Sequence, residues 1–468
     1  MNMLAGQSVL VLGLGESGVA MAQWCARSGA RLRIADSRAH PPGLDGVRGL
    51  AGVQLHCAAR FDGSEPQLLD GIDWVAISPG IDPEQPLLQQ ARARGLPVKG
   101  EMTLFAEALE GLGVRAHCRI VAITGTNGKT TTTALTARLC QAAGRDAVAA
   151  GNISPSALAV LMQRQDEGRA LPDCWVLELS SFQLETMQGL QPDAACVLNL
   201  SDDHLDRHRT LEAYAQAKAR IFEGRGVQVL NRDDPLVAAM QRRDREPVWV
   251  SLGVPVGERD FGVRLQQDEA WLYRGGEPLL TVSALRLSGR HNLFNALAAL
   301  ALADAVGCAP HDTLPALRDF SGLAHRMQCV AERADGVRFY DDSKGTNVGA
   351  TLAALQGLGR PVVLIAGGDG KGQDFSPLCA AAREHARAVV LIGRDAQRIA
   401  QALLPSGVAL HHAQDMDSAV ALAARLARPG EAVLLSPACA SLDMFRNYAH
   451  RAEVFVQAVR MLEGVRAC

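Results

Sequence analysis

Apolar runs of four to six residues, each closed by glycine or small polar residues, recur along the whole chain. They are too short for core helices and read as buried strands. In the first third they fall at residues 7–12, 31–35, 53–57 and 73–77, with a helical pattern at 19–28. Residues 101–119 read as helix and then loop, and residues 120–124 (IVAIT) as a strand. The helical pattern after that strand puts Leu135, Leu139 and Cys140 on one face. Further strands are predicted at 174–179 and 194–200, followed by a helix through Tyr214, Lys218 and Phe222. Residues 227–283 alternate short strands with turns, and an alanine- and leucine-rich helix runs from Gly289–Asn292 to about 306. Strands at 337–340, 361–366, 388–392 and 431–435 complete the pattern. Alternation of β and α implies parallel sheets. The fold class is α/β, and 468 residues suggest about three domains. We place them at 1–107, 108–322 and 323–468.

Composition narrows the function. Hydrophobic residues make up 48% of the chain, enough for several cores. A net charge of −3 implies no broad basic surface, and aromatic residues at 4% disfavour base-stacking platforms, so no nucleic-acid partner is expected. Eleven cysteines stand without a Cys-x-x-Cys pair or zinc spacing and read as reduced core thiols of a cytoplasmic protein. No signal pattern or membrane-length apolar run appears, so no membrane insertion is expected.

The strand at 120–124 enters Gly125-Thr126-Asn127-Gly128-Lys129-Thr130-Thr131 and then a helix. Strand, glycine loop and helix form a phosphate cradle, because loop N–H groups and the helix N-terminus converge on one anion. Lys129 supplies a positive charge and Thr130 a hydroxyl for Mg²⁺. The spacing departs from the strict Walker form, since Ile123 stands where the first glycine belongs. A second glycine loop, Gly13-Leu14-Gly15-Glu16-Ser17-Gly18, follows the first strand, with Asp36 about twenty residues on. Alone it fits an NAD domain or a related fold holding another nucleotide's diphosphate. The NAD reading leaves the loop at 125–131 without a task. A nucleotide-gated binding module is the non-enzymatic alternative.

Other polar clusters also stand just after predicted strands, at Ser78-Pro79-Gly80, Glu178, His204, Lys344 and Lys371. Strand ends in an open α/β sheet converge on one edge, where ligands bind. Glu178 and His204 are placed to face Mg²⁺ near phosphates, while Arg326, Lys344 and Lys371 bring cations from the third domain.

VAITGTNGKTTTT, ELSSFQLE, NLSDDHLDRH, GRHNLFNALAAL, AHR, DDSKGTN, GGDGK and SPACASLDMF occur in one order from residue 121 on, and together the chain resembles the Mur ligase family over essentially its whole length. The resemblance implies a Rossmann-like N-terminal domain binding the UDP part of a substrate, a P-loop-type central ATPase domain, and a Rossmann-like C-terminal domain binding nucleotide and amino acid. The implied reaction is ATP-dependent joining of D-glutamate to UDP-N-acetylmuramoyl-L-alanine through an acyl phosphate; a monomer is expected because one chain carries all three domains. The alternative is a family member adding L-glutamate or another amino acid.

The resemblance also implies residue roles. Gly125, Thr126, Asn127, Gly128, Lys129, Thr130 and Thr131 hold the ATP phosphates. Asn292 and Asn295 lie on its adenine side, and Arg326, Asp342 and Lys344 reach it from the third domain. Thr130 and Glu178 serve Mg²⁺, and His204 a second Mg²⁺ and the reacting region. Gly15 and Ser17 meet the diphosphate, where an acid such as Glu16 is unusual. Asp36, Ser37, Arg38, Ser78 and Gly80 lie toward uridine, with Asn152, Ser180 and His204 on the muramoyl-alanine part. Thr346, Lys371, Ser441 and Tyr448 receive glutamate, although phenylalanine is common in the family where Tyr448 stands. Lys218, by pattern an exposed helical lysine, is implied to be carbamylated and to support Mg²⁺. The catalytic set is therefore Lys129, Glu178, His204, Lys218 and Lys344.

Overall fold

The computed structural model describes residues 3–287 and 289–468, except for the side chain of Asp206. Three sheets follow one another along the chain. The first has five parallel strands in the order 54–57, 31–36, 8–12, 74–77, 98–99. Strand Ser8–Leu12 is buried on both faces, which explains its unbroken apolar run. Strand order reverses beside it, and the crevice past its carboxyl end is where such sheets bind ligands. Both Gly13–Gly18 and Ser78–Gly80 follow strands that end there.

The second sheet has nine strands, in the order 277–281, 269–274, 261–266, 248–250, 227–231, 194–197, 119–124, 174–178, 147–151. Strand Arg119–Thr124 lies between Ala194–Val197 and Cys174–Glu178. The glycine loop, Glu178 and the segment leading to His204 therefore leave one sheet edge side by side. The strands at 261–281 are antiparallel, as short strand–turn units allow.

The third sheet has seven strands, ordered 409–412, 386–392, 362–367, 432–435, 338–341, 328–333, 465–467. Its edge departs from the all-parallel expectation. Strand Gln328–Arg333 is antiparallel to its neighbours, and its partly exposed polar sequence hid it from an apolar-run reading. The register of Ala331 opposite Ala467 brings Cys329 and Cys468 together as a disulfide, Cα atoms 5.9 Å apart. That pair corrects the expectation that all the cysteines stand as single thiols. Among the described residues no helix is long and apolar enough to cross a membrane.

Helix Glu101–Gly111 connects the first two sheets, and residue 107 lies inside it. Its Phe105 packs edge-on to Trp175 of the second sheet, ring centroids 4.8 Å apart. One buried cluster runs from Val9 and Met21 through Phe105 to Trp175 and Tyr214, so the two units share a core.

Candidate active site

Gly128 caps the helix Lys129–Ala142 in the left-handed region, φ 83°. A Cβ there would stand 2.4 Å from Asn295 Oδ1, so only glycine fits beneath the helix that carries Asn292 and Asn295. Asn127 N–H donates to Asn199 Oδ1 at 2.8 Å, and Thr126 Oγ1 accepts from Ser201 N–H at 3.0 Å. The loop is thus pinned to the neighbouring strand end before any ligand arrives. Lys129 Nζ donates to its own loop carbonyls, Gly125 O at 2.8 Å and Thr126 O at 2.7 Å. Burial lowers its pKa from the usual lysine value, against the pull of Glu178 and Asp203. A phosphate would supply the counter-charge.

Glu178 is 2% exposed; its Oε1 accepts from Asn152 Nδ2 at 2.7 Å, and its Oε2 is buried with no hydrogen-bond partner. An orphaned carboxylate oxygen beside a phosphate cradle fits a divalent cation. Thr130 Oγ1 accepts from Arg326 Nη2 at 2.7 Å, which ties the third domain to the glycine loop. A second lone pair on that hydroxyl remains for a metal. Asn347 Nδ2 adds contacts to Asn127 Oδ1 at 3.3 Å and Asp203 Oδ2 at 3.4 Å.

Lys218 is not an exposed helical lysine. It is 1% exposed, with Nζ 3.2 Å from Thr124 Oγ1, 3.0 Å from Gly125 O and 4.5 Å from the Tyr214 ring centroid. Its pKa lies well below the usual value, first through burial and then through the charge of Lys129. His204 takes a left-handed backbone, φ 55°, and its ring packs edge-on to Phe182 with centroids 4.8 Å apart. Burial lowers its pKa too, which favours the neutral imidazole that a metal requires.

Three cavities surround this centre. One of about 220 Å³ is lined by Asn127, Gly128, Thr131, Asn292, Asn295, Arg326, Asp342 and Lys344, uniting most of the residues expected around ATP. A second, about 390 Å³, is lined by Gly15, Ser17, Asp36, Ser37, Arg38, Ser78, Gly80 and Asn152, the group expected around the UDP substrate. Asn152 lines the second cavity while donating to Glu178, so it links that cavity to the phosphate cradle. A third, about 670 Å³, joins His204, Thr346 and Lys371.

Other expected residues lie elsewhere. Ser180 caps the helix Ser181–Thr186 and exchanges hydrogen bonds with Gln183, which lines the UDP-side cavity in its place. His204 belongs to the cavity with Lys371, away from the UDP-side cavity. Ser441 is 4% exposed in the turn after Ala432–Leu435 and lines none of the three cavities. Tyr448 holds Lys344 instead: its hydroxyl accepts from Nζ at 3.2 Å, and Nζ sits 4.5 Å from its ring centroid. The Asp36 carboxylate accepts from Leu14 N–H at 2.7 Å and from the backbone and guanidinium of Arg38, so it orders the glycine loop and aims Arg38. Ser17 Oγ donates to the buried Glu101 at 2.6 Å, which leaves backbone N–H groups to meet an anion. Burial raises the Glu101 pKa, opposed by the Ser17 bond. Glu101, Asn199 and Asn347 were not singled out in the sequence, because their partners Ser17, Asn127 and Asp203 are distant along the chain.

Asp342 is 7% exposed and accepts from Ser436 Oγ at 2.7 Å and from Met327 N–H at 3.2 Å. Burial raises its pKa from 3.8 to about 7 despite the nearby Arg326. The folded state therefore holds a proton there that the unfolded chain has released. This contribution to stability is complete below about pH 4 and is lost as pH rises through 7. Asp342→Asn keeps a neutral side chain at every pH. The wild-type minus variant stability difference, measured by urea unfolding, is expected to fall between pH 4 and 7; a flat difference would contradict the shift.

A left-handed glycine turn at a strand–helix junction, an orphaned buried carboxylate and cations from a second sheet define a P-loop nucleotide-binding protein of three α/β units. The family is visible in sequence comparison. The Mur ligase middle domain matches residues 123–303, the Mur ligase glutamate ligase domain residues 325–439, and the MurD-like N-terminal domain residues 7–100. The chain belongs to the Mur ligase family. It is 63% identical over 468 residues, all of both chains, to the UDP-N-acetylmuramoylalanine--D-glutamate ligase of Aromatoleum aromaticum. It is 54% identical to the enzyme of that name from Nitrosospira multiformis, covering 99% of this chain and 97% of the relative. Among solved structures, MurF from Acinetobacter baumannii superposes with TM-score 0.60 at 18% identity, covering 98% of this chain and 91% of that one. The UDP-N-acetylmuramate-alanine ligase of Thermotoga maritima gives TM-score 0.59 at 20% identity, covering 97% and 99%. These likenesses establish the three-domain fold.

Proposed function

We propose that this protein joins D-glutamate to UDP-N-acetylmuramoyl-L-alanine with cleavage of ATP to ADP and phosphate, a cytoplasmic step in building peptidoglycan precursors. The observation that carries this is the link through Asn152 between the UDP-side cavity and the buried Glu178 beside the glycine loop. A nucleotide-borne carboxylate entering from that cavity would end near the γ-phosphate of ATP. The names of the full-length relatives support the same substrates.

A carboxylate is a poor electrophile and must first be activated. Attack of the alanine carboxylate on the γ-phosphate yields an acyl phosphate and ADP. Both reactants are anions: two like unit charges ~4 Å apart repel by about 1 kcal/mol in water and about 4 kcal/mol at an effective dielectric near 20. Lys129, Arg326 and Lys344 converge from two domains to offset that repulsion. Glu178 and Thr130 would hold Mg²⁺ at the phosphates, His204 a second ion, with Lys218 as its carbamate supporting them. Bound Mg²⁺ would draw charge from the phosphate oxygens. With the carboxylates of D-glutamate held by Thr346 and Lys371, its amine then attacks the acyl carbon through a tetrahedral intermediate, and phosphate and the amine's proton leave as the amide forms. Arg326 and Asn347 tie the third domain to the glycine loop, and closure of the cleft over bound substrates would exclude the water that hydrolyses an acyl phosphate.

The deciding measurement is phosphate release with UDP-N-acetylmuramoyl-L-alanine, ATP and Mg²⁺, offering D-glutamate, L-glutamate, meso-diaminopimelate and L-lysine in turn. Release with D-glutamate alone is expected. Release with none of them would overturn the reading, and preference for another amino acid would move the protein to another branch of the family.

A further inference from the structure

Glu16 lines the UDP-side cavity, where a diphosphate would repel it, yet its carboxylate faces away from that role. Glu16 Oε1 accepts from Ser154 Oγ at 2.8 Å and from Ser156 N–H at 3.1 Å, both in the central domain. Ser156 caps the helix Ala157–Asp166. Negative charge at a helix N-terminus is favourable, so the acid that looks misplaced beside an anion is placed well for this contact. A second carboxylate repeats the arrangement in the same turn. Glu101 is 1% exposed; its Oε2 accepts from Ser17 Oγ at 2.6 Å and its Oε1 from Leu158 N–H of the same helix at 3.4 Å. Residues 16 and 17, adjacent in the glycine loop, are therefore both fastened to the first turn of one helix in the next domain.

The cavity itself is built from both domains. Gly13, Gly15 and Arg38 come from the first sheet, Gly151, Asn152 and Gln183 from the second. The shared apolar core docks the two domains, but apolar contact is non-directional and leaves the loop's register unset. Hydrogen bonds to charged acceptors supply direction.

Resting on the proposed UDP-substrate reading, we propose that Glu16 and Glu101 are positioning residues that latch the glycine loop to the helix Ala157–Asp166, and so hold the nucleotide-diphosphate cavity in register with Asn152 and Glu178. Neither touches the reacting atoms. Glu16 answers to Ser154, and Glu101 acts through Ser17.

The test uses the full chain and UDP as the probe, with titration calorimetry for UDP and for an ATP analogue in parallel. Glu16→Ala is expected to weaken UDP binding about tenfold, as loss of a charged hydrogen bond would. Affinity for the ATP analogue is expected to stay within about twofold. Glu16→Gln, which keeps an acceptor oxygen without the charge, is expected to lose less than Glu16→Ala and to recover part of the affinity. Ser154→Ala is expected to weaken UDP binding in the same direction, and the double variant Glu16→Ala/Ser154→Ala to lose little more than Glu16→Ala alone. A merely structural acid would lower thermal stability and affect both ligands alike, and that outcome overturns the latch. So does unchanged UDP affinity in Glu16→Ala, or full additivity with Ser154→Ala. If Glu16→Ala does not fold, Ser154→Ala alone decides by the same two titrations. A wild-type chain that binds no UDP would instead overturn the assignment of the cavity.

Discussion

Replacing Lys218 with alanine is expected to reduce turnover by about 10³-fold, with partial recovery when formate or acetate is added. The residue is 1% exposed and has two neutral acceptors, Thr124 Oγ1 and Gly125 O, with no carboxylate in hydrogen-bond contact among the described residues. A buried ammonium in that setting would stand beside Lys129 and any bound metal, all of like charge. Reaction of the amine with CO₂ gives a carbamate and releases a proton, which turns a cation into an anionic oxygen ligand. A small carboxylate diffusing into the space left by Lys218→Ala would replace those oxygens. An ammonium with a purely structural role predicts no such recovery, since a carboxylate carries the opposite charge. Phosphate release with and without 0.1–1 M formate separates the two; full activity of Lys218→Ala in its absence would end the carbamate assignment. Loss of the Lys218–Tyr214 contact will also lower stability, so the thermal midpoint must be shown to lie above the assay temperature.

Lys129→Met is expected to be as severe, with kcat reduced about 10³-fold at saturating ATP, the scale on which removal of one preorganised charge acts. In the present structure Nζ is held by Gly125 O and Thr126 O, so its position already lies inside the loop that would enclose the phosphates. Methionine fills a similar volume without the charge, which limits packing effects. Binding of UDP at the neighbouring cavity is expected to persist, because Lys129 Nζ is hydrogen-bonded to Gly125 O and Thr126 O, neither of which belongs to that cavity's lining. Retained turnover with intact ATP binding would show that the charge is dispensable and that Arg326 and Lys344 suffice.

The two glycine loops were legible in the sequence because their requirement is local. A positive φ at Gly128, an apolar strand before it and a helix after it are all fixed within about fifteen residues. The same holds for Glu178, the last residue of its strand, and for Lys344 and Lys371, each in a polar turn next to a strand. Failures have a common cause in the other direction. Lys218 reads as a surface residue because helical periodicity reports which face is apolar, and cannot report that a phosphate loop will cover a polar face. Ser180 and Gln183 engage each other in a capping box, and only the folded backbone shows that Gln183 also lines the UDP-side cavity. Tyr448 and Lys344 are 104 residues apart, and only the sheet brings them within 3.2 Å.

Local chemistry thus set the class of the protein: short strands, anion-binding turns, and acids and cations in the right neighbourhoods, all readable because bonds along the chain enforce them. Folding decided the assignments that matter for selectivity. Which oxygen of Glu178 is left without a partner, where Glu16 turns its charge, and which domain supplies the cation over Thr130 depend on contacts between segments far apart in the chain. Burial then alters their charge states, and burial is a property of the packed whole.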